Sequence, residues 1–170
     1  MDGFEGALKA AQPVSEDIRD GLLEPFITAT GTALREMAGI EVTVETVCQT
    51  TLGHALGDIA AVIRLGPTNE GFLVLSFPEP TAAALAARIL AGVSQEMDET
   101  LTRDCVGEIA NVIVGQTKAL LAGTPHRFTF SLPQAVVSAP EFRPPPGLPA
   151  LVVAFGSEQG GFALELFLKP

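Results

Sequence analysis

A carboxylate and a carboxamide lie three residues apart in the segment E-I-A-N-V-I-V-G, which runs from Glu108 to Gly115. The carboxamide of Asn111 has donors and an acceptor but no charge to titrate, so it can orient a water molecule without being consumed. The carboxylate of Glu108 can bind a cationic group through a charge-assisted hydrogen bond. Together they can serve a hydrolysis in which a partner molecule supplies the remaining groups.

Apolar periodicity around this segment predicts one long helix over residues 98–122, ended by Gly123. Residues three and four apart are neighbours on a helix, so one side presents a continuous polar stripe: Asp104, Glu108, Asn111, Gly115 and Lys118. The opposite side carries an apolar stripe that is expected to face a sheet: Val106, Ile109, Ile113 and Leu120. Glycine inside a helix costs about 1 kcal/mol relative to alanine, so Gly115 indicates a surface kept clear for close approach.

The 170 residues amount to about one domain. Residues 1–20 are predicted to form a poorly ordered lead-in, and residues 21–170 a single domain. That domain divides into a first repeat at 22–77, a connecting helix at 79–92 and a second repeat at 98–168. Each repeat reads helix, strand, hairpin, which is the signature of an internal duplication.

Ungapped alignments support the duplication. A shift of 84 positions places Glu24 and Gly31 of the first helix on Glu108 and Gly115. A shift of 90 positions aligns the hairpins and pairs Gly71, Phe72 and Phe77 with Gly161, Phe162 and Phe167. Two such units predict an α/β (α+β) fold with a pseudo-twofold layout, in which long helices pack on one face of a mostly antiparallel sheet. We expect the other face to be polar or covered by a partner, which leaves room for a homodimer.

Composition limits the partners. A net charge of −10 argues against nucleic acid, whose recognition needs clustered Lys and Arg, and against an anionic membrane surface. No apolar run reaches the roughly 18 residues of a membrane span, and the N-terminal sequence does not read as an export signal. Cys48 and Cys105 form no Cys-x-x-Cys motif. The expected location is therefore the reducing cytoplasm.

Other candidate residues carry weaker signals. His54 and His126 are 72 residues apart, and neither has ligand spacing to a cysteine or carboxylate, so no metal site is expected. Cys105 lies one turn before Glu108 and is either a packing residue or a redox-sensitive neighbour of the site. Asp104 either extends a docking surface or favours the early turns of the helix through its dipole.

The segment E-I-A-N-V-I-V-G-Q-T-K-A-L-L, followed by F-T-F-S-L-P, resembles the chemotaxis phosphatases of the CheC/CheX/FliY group, and CheX most. The resemblance extends over nearly the whole chain, including E-P-F-I-T-A-T, L-G-P-T-N-E-G-F-L-V-L-S-F and G-G-F-A-L-E-L. It implies hydrolysis of the aspartyl phosphate of a CheY-type response regulator. Asn111 then orients the attacking water, Glu108 contacts the regulator's lysine, and Gly115 matches the motif glycine. The regulator supplies Mg²⁺, and this chain binds no cofactor.

The resemblance also implies one site per chain, because CheX-like members keep the motif on one helix only. In the first helix Ile27 stands where the Asn belongs, and Pro25 follows Glu24. CheX-like members are dimers, which agrees with the expected homodimer. The alternative is a non-catalytic module of the same fold that binds a response regulator or acts as a motor-switch-like scaffold.

Overall fold

The computed structural model describes residues 2–66, 71–93, 96–126, 128–130 and 135–169. Its helices are α1 (Asp2–Leu8), α2 (Glu16–Ile18), α3 (Glu24–Ala38), α4 (Glu79–Ile89) and α5 (Glu99–Leu121). Its strands are β1 (Gln12–Pro13), β2 (Thr43–Thr51), β3 (Ile59–Gly66), β4 (Gly71–Phe77), β5 (Thr129–Phe130), β6 (Ala135–Ser138), β7 (Pro149–Gly156) and β8 (Phe162–Leu168). A π-helical turn, Arg19–Leu23, leads into α3. The sequence predicts that residues 66–70, G-P-T-N-E, connect the two strands of the first hairpin, and of these 67–70 lie outside the described residues.

Across the described ranges, the strands form one antiparallel sheet in the order β1-β2-β7-β8-β4-β3, and β5 and β6 both pair with the outer side of β3. The two repeats exchange strands: β2 of the first pairs with β7 of the second, and β6 of the second pairs with β3 of the first. The repeats meet where β4 pairs with β8. The strand order is therefore symmetric about the β4–β8 boundary, and the predicted fold class is confirmed.

The second strands of the two hairpins are offset by one residue from the predicted alignment. Leu73 of β4 and Leu164 of β8 both face the helices, which is an offset of 91 rather than 90. The connection from Gly156 to Phe162 is one residue longer than that from Gly66 to Gly71. A one-residue slip moves a side chain to the opposite face. The predicted matches of Phe72 with Phe162 and of Phe77 with Phe167 are therefore wrong.

The sheet buries apolar side chains on both faces. The main core lies between the sheet and helices α3, α4 and α5, as predicted. A second cluster covers the other face. There Val152 and Phe167 of the sheet pack with Phe142 and Leu148, which belong to the segment that connects β6 to β7. Phe4 and Leu8 of α1 also pack on this cluster.

This second cluster corrects two expectations. The segment predicted as a poorly ordered lead-in forms α1 and β1, and β1 pairs with β2. The second face is covered by the chain's own segments, because its apolar side chains gain free energy on leaving water. Among the described helices, none has the combination of length and apolarity that a membrane crossing needs.

Candidate functional site

Helix α5 begins and ends where the sequence predicts. Asp98 is its N-cap, and the Asp98 side chain accepts a hydrogen bond from the backbone N–H of Leu101 at 2.8 Å. Gly123, at φ +84°, follows the last turn in the left-handed region. Between these ends the helix has 23 residues, enough to carry the polar stripe across the outer surface of the protein.

The outer face of α5 exposes every residue of the predicted polar stripe: Asp104, Glu108, Asn111, Gly115 and Lys118. Val106, Ile109 and Ile113 lie in the core on the opposite side, as predicted. Leu120 does not join them, since 45% of it is exposed. The buried face follows steps of four residues from Ile113 through Thr117 to Leu121, so Leu121 takes the place expected for Leu120.

Solvent can reach Asn111 freely. Its amide makes no hydrogen bond to another described residue, and neither does the Glu108 carboxylate. A side chain added at Gly115, one turn further along, would meet no atom within 4 Å. This face can therefore receive a second protein without first breaking a contact of its own.

Beside the polar stripe runs an open groove of about 740 Å³ between α5 and the short strand β6. Its lining consists of Thr100, Arg103, Asp104, Gly107, Glu108, Asn111 and Val136. Sequence reasoning missed four of these residues: Thr100, Arg103, Gly107 and Val136. Gly107 did offer a signal, because it is a second costly glycine within a long helix. Val136 offered none, since it is close to the helix only in the folded chain.

Arg103 joins the two walls of the groove. Its Nη1 donates to the carbonyl oxygen of Val136 at 3.2 Å, and its Nη2 lies 3.0 Å from a carboxylate oxygen of Glu99. The guanidinium is thus held by Glu99 and Val136. Asp104 and Glu108 are left without an ionic partner among the described residues.

Cys105 lies behind the polar stripe and is buried. Burial raises the pKa of its thiol, and the nearby carboxylates of Asp104 and Glu108 raise that pKa further. A raised pKa keeps the reactive thiolate scarce. The structure therefore favours the packing role over the redox-sensitive one.

Helix α3 of the first repeat, which the structure describes in full, does not expose an equivalent pair. In α3, Glu24 is exposed, but Ile27 is half-buried and packs against the main core. A side chain added at Gly31 would contact Val42 at 3.8 Å, whereas one added at Gly115 would contact nothing within 4 Å. The surface around Gly31 is therefore less open than the surface around Gly115. Within the described ranges, no group of three or more His, Cys, Asp or Glu side chains could hold a metal ion.

Comparison with known proteins gives a consistent result. A family model described as chemotaxis phosphatase CheX matches residues 59–156. A protein described as a chemotaxis protein, from Desulfovibrio vulgaris Hildenborough, has a TM-score of 0.76 and 29% identity over 86% of this chain and 95% of that chain. A CheX from Desulfovibrio desulfuricans has a TM-score of 0.76 and 27% identity over 86% of this chain and 98% of its own.

A more distant structure shares the fold. A complex of CheX with CheY, BeF₃ and Mg²⁺ from Borrelia burgdorferi gives a TM-score of 0.69 and 19% identity, over 87% of this chain and 97% of that chain. No curated protein matches the sequence significantly.

Proposed function

The chain belongs to the family of the chemotaxis phosphatase CheX, and from this premise we propose that it hydrolyses the aspartyl phosphate of a CheY-type response regulator. The observation that carries the proposal is the pair Glu108 and Asn111, exposed one turn apart on α5 with no partner among the described residues. The Borrelia CheX, which shares the fold, is seen in complex with CheY. That complex supports a regulator of the CheY type as the partner.

Each residue of the polar stripe has a distinct role in this proposal. The Asn111 amide orients a water molecule in line with the phosphorus, as the water-positioning glutamine of GTPases does. The water attacks the phosphorus, and the bond between phosphorus and the aspartyl oxygen breaks. Inorganic phosphate leaves, and the aspartate of the regulator is again a free carboxylate. Glu108 pairs with the regulator's lysine, Asp104 extends the docking surface, and Gly115 allows close approach. Mg²⁺ and the aspartyl phosphate belong to the regulator, and this chain contributes no cofactor.

The wider setting follows from the same proposal. The protein works in the cytoplasm as a homodimer, with one site per chain and no nucleic-acid or membrane partner. The net charge of −10 supports the exclusion of nucleic acid and membrane, and Ile27 in place of the motif asparagine supports one site per chain. The homodimer rests on the resemblance to CheX alone, because the chain's own segments cover the second face of the sheet.

A decay assay tests the proposal. Purified protein is mixed with phosphorylated response regulators from the same genome, and the release of phosphate is followed over time. We expect an acceleration on the order of 10²-fold for the cognate regulator, which positioning of one water can supply. Protein that binds a regulator but leaves its decay unchanged would be a scaffold, and the phosphatase assignment would then be wrong.

A further inference from the structure

The groove beside α5 is longer than the proposed catalytic pair requires. Glu108 and Asn111 are separated by about 4.5 Å along the helix axis, at 1.5 Å per residue. The groove continues to Thr100, which lies about 16 Å from Asn111 along the same axis. Most of its length is therefore unused by the pair itself.

The part of the groove beyond the catalytic pair is lined by an apolar side chain on one side and by a glycine on the other. Val136 of β6 forms the wall, and Gly107 lies opposite with no side chain of its own. A Cβ added at Gly107 would meet Cγ2 of Val136 at 3.4 Å, so even an alanine would narrow the space. Arg103 maintains this geometry, because its hydrogen bond to the Val136 carbonyl ties β6 to α5.

The rim of the groove is acidic. Asp104 and Glu108 stand four residues apart, and like charges at this spacing repel each other and destabilise a helix. The cation nearest in sequence, Arg103, is held by Glu99 and Val136 instead. A basic group on a partner would relieve this repulsion and meet an overall charge of −10 on the protein.

We propose that the part of this groove from Thr100 to Gly107 is a further docking surface for the response regulator, adjoining the catalytic pair at the end of the groove. It receives a segment of the receiver domain that carries a basic side chain. The alkyl stem of that side chain lies along Gly107 and Val136, and its charged end reaches Asp104. This inference rests on the proposed function, because it assumes the same partner.

Two variants test the groove without touching the catalytic pair. Gly107→Leu places a bulky side chain in the groove beside Val136, and leucine favours a helix more than glycine does, so the helix is retained. Asp104→Asn removes the charge and keeps the shape. The probe is a regulator loaded with Mg²⁺ and beryllium fluoride, which stands in for the phosphoryl group. We expect binding weakened about tenfold or more by Gly107→Leu and about threefold by Asp104→Asn at low salt, the latter effect fading at high salt.

Matched controls lie outside the groove. Thr28→Leu places the same side chain on an exposed position of α3, and Asp17→Asn removes an exposed charge from α2. Both should bind the loaded regulator as the wild type does. In decay assays, the groove variants should raise the half-saturating protein concentration and leave the maximal rate within about twofold, as expected for a change in docking alone.

The outcomes separate the groove from the catalytic proposal. If both groove variants bind like the wild type, the further docking surface is wrong, whatever the catalytic rate. If they bind weakly but the wild type never accelerates decay, the groove stands and the phosphatase proposal fails. If the wild type binds no regulator, both proposals are overturned.

Discussion

Helices α3 and α5 occupy equivalent places in the two repeats, yet they present different chemistry to solvent. Helix α3 carries Glu24 and Gly31 at the positions of Glu108 and Gly115, but its third position is Ile27, which packs against the core. Helix α5 carries Asn111 there, exposed to solvent. The duplicated scaffold therefore places an inward isoleucine and an outward amide at equivalent positions, and under the proposed function this difference decides which copy acts on a partner.

The two central strands, β4 and β8, also differ at one equivalent position, where one carries an apolar side chain and the other a carboxylate. Once the offset of 91 is applied, Val74 of β4 corresponds to Glu165 of β8. Glu165 is fully buried, and its Oε1 accepts hydrogen bonds from the Leu56 N–H and the Ser76 hydroxyl. Its Oε2 has no hydrogen-bond partner among the described residues. Burial raises the pKa of Glu165 to about 7, despite the opposing effect of these two hydrogen bonds.

The largest expected effect comes from making α5 resemble α3. Asn111→Ile places the residue of the first repeat at the proposed water-orienting position. We expect the acceleration of regulator decay to fall by about 10²-fold or more, because an aliphatic side chain cannot hold a water. Phosphate release measures the effect. Thr28→Ile, an equally exposed change on α3, is the control and should leave the decay rate unaltered.

A smaller effect is expected from removing the docking charge. Glu108→Gln loses one charge-assisted hydrogen bond, worth about 1.5–3 kcal/mol, so the half-saturating protein concentration should rise roughly tenfold or more. The maximal rate should change little. Glu24→Gln alters the equivalent position of α3 and should have no effect. Equal responses to the two substitutions would remove the distinction between the helices.

The buried carboxylate predicts a pH-dependent stability. The folded pKa of Glu165, about 7, lies above the value of 4.5 expected for the unfolded chain, so the folded state binds the proton more tightly. This contribution is complete below pH 4.5 and is lost as the pH rises through 7. Its full size is about 3 kcal/mol, because one pKa unit corresponds to about 1.4 kcal/mol.

Glu165→Gln isolates that contribution, because the amide keeps an acceptor for Leu56 and Ser76 and cannot ionise. Between pH 4 and pH 8, urea unfolding should show the wild type losing about 3 kcal/mol of stability relative to this variant. The other titrating groups are common to both proteins and cancel in the difference. Curves that remain parallel over this pH range would show that Glu165 titrates normally.

The smallest effect is expected from making α3 resemble α5. Ile27→Asn should not create a second site, because Gly31 faces Val42 and Pro25 occupies the turn after Glu24. The decay rate should equal that of the wild type, and stability should fall by about 1 kcal/mol from lost apolar packing. A rate doubled by this one substitution, or rescue of Asn111→Ile by it, would mean that the two helices differ only at that residue.

Local patterns in the sequence predict the elements that hold the site. The period of the apolar residues and the capping positions placed α5, and the same period placed Glu108 and Asn111 on its outer face. The prediction that Leu120 faces the core was wrong. Apolar spacings of three and four residues do not determine which of two neighbouring leucines in the last helical turn is buried.

Features that depend on distant contacts were not predictable in this way. The hairpin strands are apolar on both faces, so alternation did not reveal the extra residue before Phe162. The covering of the second face by Phe4 and Leu8, and the approach of Val136 to Gly107, arise only when the chain is folded.

The central claim is that the Asn111 amide acts on the phosphoryl group of a bound regulator and does not hold the complex together. Its most direct test is single-turnover decay of the phosphorylated regulator, measured against increasing concentrations of wild-type protein and of Asn111→Ala. We predict that Asn111→Ala saturates at the same concentration but reaches a maximal rate about 10²-fold lower. An unchanged maximal rate in Asn111→Ala would contradict the claim.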